Sequence, residues 1–164
     1  MKTIIAAVCV VLLAGCASYA GRGLEPGRSS AEEVEALMGP SAERRSAPNG
    51  ESVRYYSRLP FGRQTYAARF DRNGRLIAVE QRLTVENVAR LQPGKSTAPE
   101  VRDLLGPPWR EDAYPRLARE IWTYPMMAVD PTPKHFYVQF SGDGVVRELY
   151  LLDDPDWRAR DSFE

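Results

Sequence analysis

The sequence is poor in the residues that most often carry chemistry. It has two cysteines, Cys9 and Cys16, and a single histidine, His135. Beyond residue 16 there is therefore no thiol to form a disulfide, ligate a metal or act as a nucleophile. Zinc sites need several His or Cys ligands, and the Gly-x-Ser-x-Gly elbow of many serine hydrolases is missing. The sequence predicts no catalytic residue, no metal and no cofactor, and His135 is interpreted as an ordinary residue at a strand end.

The sequence also lacks an excess of either charge. It has 22 Lys and Arg against 22 Asp and Glu, so there is no overall field that would draw nucleic acid or anionic lipid. Two acidic features invite a calcium interpretation, namely Asp143 and the cluster of Asp153, Asp154 and Asp156. Neither has the twelve-residue loop spacing that ends in a bidentate Glu. A turn and a solvated tail are the favoured interpretations.

Long apolar runs are missing as well, and the run from Ile4 to Leu13 is about half of the roughly twenty residues that a membrane-spanning helix needs. Its length suits the central region of a secretory signal. It ends in Leu13-Ala-Gly-Cys16, which resembles the lipobox of a bacterial lipoprotein precursor. The resemblance implies a signal peptide over residues 1–15, cleavage between Gly15 and Cys16, lipidation of Cys16, and a tether over residues 16–24. The alternative is an ordinary signal with a chance cysteine.

What the sequence does contain is an internal repeat. Residues 92–107 repeat residues 25–40 at an offset of 67 positions (92 − 25), with Pro, Gly, Ser, Ala, Glu, Val, Leu and a final Gly-Pro in common. Each copy has a capping-box start, apolar residues spaced i, i+3 and i+4, and a Gly-Pro stop, so each predicts a helix. The alternative, a phosphate-binding loop at Pro93-Gly-Lys-Ser-Thr97, lacks the required first glycine.

Three β-prone runs follow each predicted helix. They cover residues 53–59, 64–70 and 75–83 in the first copy, and residues 120–124, 135–140 and 145–152 in the second. Segments 41–50 and 108–119 are predicted as loops, and residues 84–91 as a short leading helix. The predicted fold is α+β. It has two tandem modules of helix plus three-stranded antiparallel meander, at residues 25–83 and 84–153, and a charged tail at residues 154–164.

The second module resembles the BamE family of outer-membrane lipoproteins, also called SmpA or OmlA. The likeness is carried by residues 92–108, by Trp122-Thr-Tyr124, by Val138-Gln-Phe140 and by the lipobox. That family shares its fold with β-lactamase-inhibitor proteins, which join two such modules. The resemblance implies a non-enzymatic lipoprotein of the outer membrane in a Gram-negative-type cell, facing the periplasm and binding an envelope protein such as the β-barrel assembly complex. The alternative is an inhibitor-like lipoprotein that docks a periplasmic or secreted enzyme.

Two predicted hairpin tips form a hypothetical partner-binding edge. One carries Phe61, and the other is the segment of residues 124–133, in which Met126, Met127 and Val129 lie between prolines. Exposed methionine-rich surface suits adaptable protein binding. The alternative is that this loop folds back and covers its own module.

Overall fold

The protein is described by a computed structural model that covers residues 20–128 and 132–156. The lipobox residues Gly15 and Cys16, and Val129 of the predicted binding edge, lie outside the described residues. Two antiparallel sheets of four strands dominate the fold. The first sheet contains β1 (Glu43–Ser46), β2 (Ser52–Ser57), β3 (Thr65–Phe70) and β4 (Leu76–Gln81). The second contains β5 (Arg110–Tyr114), β6 (Arg119–Met127), β7 (Pro133–Ser141) and β8 (Val146–Asp153).

The predicted α+β fold of three-stranded modules is wrong, because the chain is mostly β and each sheet has a fourth strand. The additional strands, β1 and β5, come from segments that the sequence predicted as loops. Their sequences are Glu-Arg-Arg-Ser and Arg-Glu-Asp-Ala-Tyr, without the apolar alternation that identifies a strand. Both strands lie at a sheet edge, where charged side chains are common because they discourage pairing with other chains.

The predicted helix starts and stops are confirmed at α1 (Ala31–Met38) and α3 (Ala98–Leu105). In the first, the Ser30 amide donates to the Glu33 carboxylate at 2.7 Å and the Glu33 amide donates to the Ser30 hydroxyl at 3.2 Å. In the second, the Thr97 amide donates to the Glu100 carboxylate at 2.8 Å. A one-turn helix, α2 (Val85–Val88), precedes α3. Among the described residues, no helix combines the length and the apolar character needed to span a membrane.

Each repeated helix packs on one face of the sheet that follows it, which we call the front face of that sheet. The first core joins α1 to the first sheet and contains Ala31, Val34, Met38, Tyr56, Ala68, Phe70 and Leu76. The second core joins α3 to the second sheet and contains Leu83, Leu91, Val101, Leu105, Trp122, Tyr124, Met126, Phe136, Val138, Phe140 and Val146. Leu59, from the turn after β2, packs against the second core, so the two units are in contact.

Candidate functional site

The helix α3 packs against both sheets. Its residues Val101 and Leu105 are fully buried against the front of the second sheet. Its opposite side meets the back face of the first sheet, where the Tyr55 hydroxyl donates to the backbone carbonyl of Asp103 at 3.2 Å. Gly106, which ends the helix, lies so close that an added Cβ would be 2.6 Å from the Thr65 methyl group. The back face of the first sheet is therefore partly covered by the second unit.

Ion pairs reinforce this junction. The Arg102 guanidinium donates to Glu43 of β1 at 2.7 Å, bonds Glu111 of β5 and lies over the Trp122 ring, 4.6 Å from its centroid. Burial lowers the pKa of Arg102, but the hydrogen bonds to Glu111 and Glu43, together with the charges of these two carboxylates, outweigh burial and leave the pKa raised. Arg102 thus stays charged while it links strands from both sheets.

A groove of about 860 Å³ lies beside α3, between the back face of the first sheet and the second unit. The first sheet contributes Arg45, Val53, Tyr55 and Arg69 to its lining. The second unit contributes the segment between α2 and α3 and one side of α3 itself, including Arg90, Leu91, Lys95, Glu100, Asp103 and Leu104. Burial raises the pKa of the Tyr55 hydroxyl, and the Asp103 carboxylate raises it further.

The back face of the second sheet has no covering helix in the described part of the chain. The paired registers of β6, β7 and β8 place Tyr137 beside Tyr150, and Ile121 beside Gln139, on this face. These four residues line an apolar depression of about 170 Å³ together with Leu152. Tyr150 is 44% exposed and Leu152 is 55% exposed. The two sheets differ most in this exposed surface of aromatic and aliphatic side chains.

Met127 belongs to the same back face, and Met126 does not. Side chains alternate between faces along β6, so Met126 is 1% exposed in the second core while Met127 is 44% exposed. Strand β6 ends at Met127 and strand β7 begins at Pro133. The connection between them is therefore shorter than the predicted loop of residues 124–133. Phe61 is 89% exposed in the turn between β2 and β3, in the other unit.

Three residues of the back face were missed by sequence reasoning. Trp109 is 42% exposed and lies within residues 108–119, which were predicted as a loop, so no strand or helix pattern identified it. Tyr150 and Leu152 belong to the run Leu149-Tyr-Leu-Leu152, in which apolar residues occupy both faces of β8. An unbroken apolar run in an edge strand is the signal that could have identified this surface.

The single histidine lies at the end of this back face. His135 is 7% exposed; its Nδ1 atom is 3.2 Å from the Tyr137 hydroxyl and its Nε2 atom is 3.7 Å from the Asp154 carboxylate. Burial lowers the pKa of His135, against an opposing effect of Asp154. Burial tends to raise the pKa of Asp154, but the hydrogen bonds from Arg63 and the Asp156 amide, together with the charges of Arg63 and His135, outweigh burial and leave the pKa lowered. This arrangement connects β7 to the turn after β2 and offers a structural role for His135.

Three of the four acidic residues that invited a calcium interpretation, Asp143, Asp153 and Asp154, have side-chain partners in the protein. The Asp143 carboxylate accepts from the Val145 amide at 3.1 Å and from Arg147 at 2.8 Å, as expected for a turn. Asp153 pairs with Lys134 at 2.7 Å, and Asp154 pairs with Arg63. Within residues 20–128 and 132–156, no cluster of three or more His, Cys, Asp or Glu side chains is arranged to hold a metal ion.

Comparison with known proteins gives one distant likeness. No family model matches the chain, and no curated protein matches it. A crystal structure of a DUF4309 family protein (YjgB) from Bacillus subtilis is similar at 18% sequence identity and a TM-score of 0.32, covering 81% of this chain and 84% of that chain. A likeness this distant assigns the chain to no family.

Proposed function

We propose that this chain is a non-enzymatic, lipid-anchored protein of the outer membrane that binds another envelope protein. The partner we propose is a component of the β-barrel assembly machinery. The Leu13-Ala-Gly-Cys16 motif supports the anchor, through acyl chains on Cys16. The resemblance of the second unit to the BamE family supports the choice of partner. The docking surface is the back face of the second sheet.

The observation that carries the proposal is the unequal covering of two equivalent sheet faces. On the back face of the first sheet, Tyr55 and Ala67 are at most 1% exposed beneath the second unit. On the back face of the second sheet, Thr123 and His135 are also buried, but Met127, Tyr150 and Leu152 are 44%, 44% and 55% exposed. Exposed large apolar and aromatic side chains grouped on one sheet face are typical of a protein-binding site.

Cross-linked affinity purification from outer membranes tests the proposal, with the full-length lipoprotein as bait. We expect β-barrel assembly components to be recovered with the natural sequence and to be lost with Met127→Asp, because a charge in an apolar contact must be desolvated. Leu117→Asp is the matched control, since Leu117 is 69% exposed on the short turn between β5 and β6 and lies outside the second core. Both variants should have the melting temperature of the natural protein.

Four results would count against the proposal. Met127→Asp with an unchanged set of captured proteins would exclude Met127 from the docking surface. A large drop in melting temperature would mean that Met127 covers its own unit, the alternative that the sequence left open. Recovery of a periplasmic or secreted enzyme in place of assembly components would favour the inhibitor-like function. A Cys16→Ser variant that remains in the outer membrane would remove the lipid anchor from the proposal.

A further inference from the structure

We propose that the groove between the two units is a second binding site, which accepts an extended acidic segment of a protein. This site lies on the back face of the first sheet and is separate from the back face of the second sheet. It therefore does not depend on the proposed function, and the two can fail independently. Its volume of about 860 Å³ falls within the range of about 300–1,000 Å³ that is usual for ligand sites.

The groove is locally basic in a chain whose formal net charge is zero. Five cationic side chains line it, namely Arg45, Arg69, Arg82, Arg90 and Lys95. Three carboxylates also line it, namely Glu51, Glu100 and Asp103. The lining residues alone thus carry an excess of two positive charges (5 − 3), while Arg82 also pairs with Glu80, which does not line the groove. A concave surface of one predominant sign concentrates the field and draws ligands of the opposite sign.

Two of the carboxylates are already engaged by the protein. Asp103 pairs with Arg45, and Glu100 accepts the Thr97 amide at the start of α3. By contrast, Arg69 and Lys95 form no ion pair within residues 20–128 and 132–156. These two cations belong to different units, so a ligand that contacts both must lie across the groove.

Arg82 also lines the groove, but neither its Nη2 nor its Nε atom is open to a ligand. Its Nη2 atom pairs with Glu80 at 3.2 Å, whereas its Nε atom is buried and has no hydrogen-bond partner among the described residues. A buried donor without an acceptor costs on the order of 1–3 kcal/mol. Arginine binds carboxylates through two parallel hydrogen bonds, so a carboxylate is the matching ligand group for Arg69, which lines the groove.

The floor of the groove favours a peptide over a simple anion. Val53, Leu91 and Leu104, which we call the floor of the groove, are apolar members of its lining. A phosphate ion or another small anion would leave that surface exposed to water. An extended chain that alternates acidic and apolar residues places carboxylates against Arg69 and Lys95 and apolar side chains on the floor, because successive side chains of an extended chain point to opposite sides. The ligand we infer is therefore an acidic, partly apolar protein segment.

Fluorescence anisotropy with the full-length protein in neutral detergent tests this inference. The probe is a labelled peptide of alternating Glu and Leu, and the comparison peptide has Gln in place of every Glu. We expect the Glu peptide to bind, the Gln peptide to bind at least about tenfold more weakly, and added salt to weaken the Glu complex. The double variant Arg69→Glu, Lys95→Glu should also lose at least about tenfold in affinity for the Glu peptide.

The matched control is Arg72→Glu, Arg116→Glu, which makes the same change in net charge at two exposed positions that do not line the groove. This control should keep the affinity of the natural sequence, as should Met127→Asp on the other surface. The inference is overturned if the two double variants lose affinity equally, if both peptides bind alike, or if no peptide binds. Binding only to inorganic phosphate or to vesicles containing phosphatidylglycerol would overturn it as well.

Discussion

The Tyr55 hydroxyl donates a hydrogen bond to the backbone carbonyl of Asp103, over 3.2 Å and across 48 positions of the chain. Tyr55 lies on β2 of the first sheet, and Asp103 lies on α3 of the second unit. The donor side chain is 1% exposed, so the bond is formed away from bulk water. The two copies of the repeat are thus joined side by side by specific contacts as well as by the chain between them.

Removing this hydrogen bond should destabilise the whole protein. We expect Tyr55→Phe to lower the free energy of unfolding by about 1 kcal/mol, because the ring keeps its packing and only the hydroxyl is lost. Tyr66→Phe is the control, since the Tyr66 hydroxyl makes only a long contact of 3.4 Å to Gln64. Urea denaturation of the two variants measures the difference. Equal losses would show that the contact with Asp103 contributes nothing specific.

Two glycines in the same backbone conformation allow the contact between the units to be isolated. Gly39 has φ +85° and Gly106 has φ +83°, and each ends a repeated helix. An added Cβ would meet nothing within 4 Å at Gly39, whereas at Gly106 it would lie 2.6 Å from Thr65 and 3.0 Å from Tyr55. The backbone cost of alanine is therefore common to both sites, and the steric cost is specific to Gly106.

We expect Gly39→Ala to cost about 1–3 kcal/mol of unfolding free energy from backbone strain alone. Gly106→Ala should cost about 1–3 kcal/mol more, because it forces an extra carbon into a packed contact. Adding Thr65→Ser to Gly106→Ala removes the nearest methyl group and should recover part of that additional loss. Equal destabilisation by the two alanine variants, measured by thermal and urea unfolding, would mean that the units separate easily.

Acidification should lower the free energy of unfolding through protonation of His135, at pH values above those at which the carboxylates of the protein titrate. Burial holds the pKa of His135 below its ordinary value of about 6.5, so the folded state favours the neutral ring. The unfolded chain then binds more protons in the window from about pH 6.5 down to the folded pKa, and the free energy of unfolding falls as pH decreases through that window. His135→Gln keeps a polar side chain without this titration and should flatten the dependence there.

Urea unfolding at a series of pH values measures this effect in the natural sequence and in His135→Gln. A stability that rises on acidification through the same window would show that the pair with Asp154 outweighs burial. The pKa of Asp154 is itself lowered, so the contribution of Asp154 is present above its ordinary pKa of about 3.8 and is lost only as pH falls through the lower folded pKa. The two groups therefore act in different pH ranges.

The repeated helices illustrate what local sequence determines. Ser30 and Thr97 precede the two helices, and Gly39 and Gly106 end them, as the sequence predicts. These features act within a few residues of one another, through capping hydrogen bonds and backbone conformations that do not need the rest of the chain. The hairpin turn at Asn73-Gly74 is local in the same sense, with φ +74° at the glycine.

The edge strands illustrate what local sequence leaves open. Arg44 of β1 and Glu111 of β5 have no apolar pattern around them, and each finds its place by pairing with a neighbouring strand. Each also pairs with its own helix, Arg44 with Glu35 and Glu111 with Arg102, so the same ion pair occurs in both units with its charges exchanged. These ion pairs can be identified only once the helix and the sheet are assembled.

By itself, the sequence determined the repeat, the two helices and most of the central strands, because these depend on contacts over short distances along the chain. It also supplied the lipobox at Cys16. Only the tertiary structure showed that each sheet has a fourth strand, that α3 packs against both units, and which sheet faces are covered. Burial of Tyr55 and exposure of Leu152 depend on elements far apart in the chain, and only their packing could distinguish a face inside the protein from a face open to a partner.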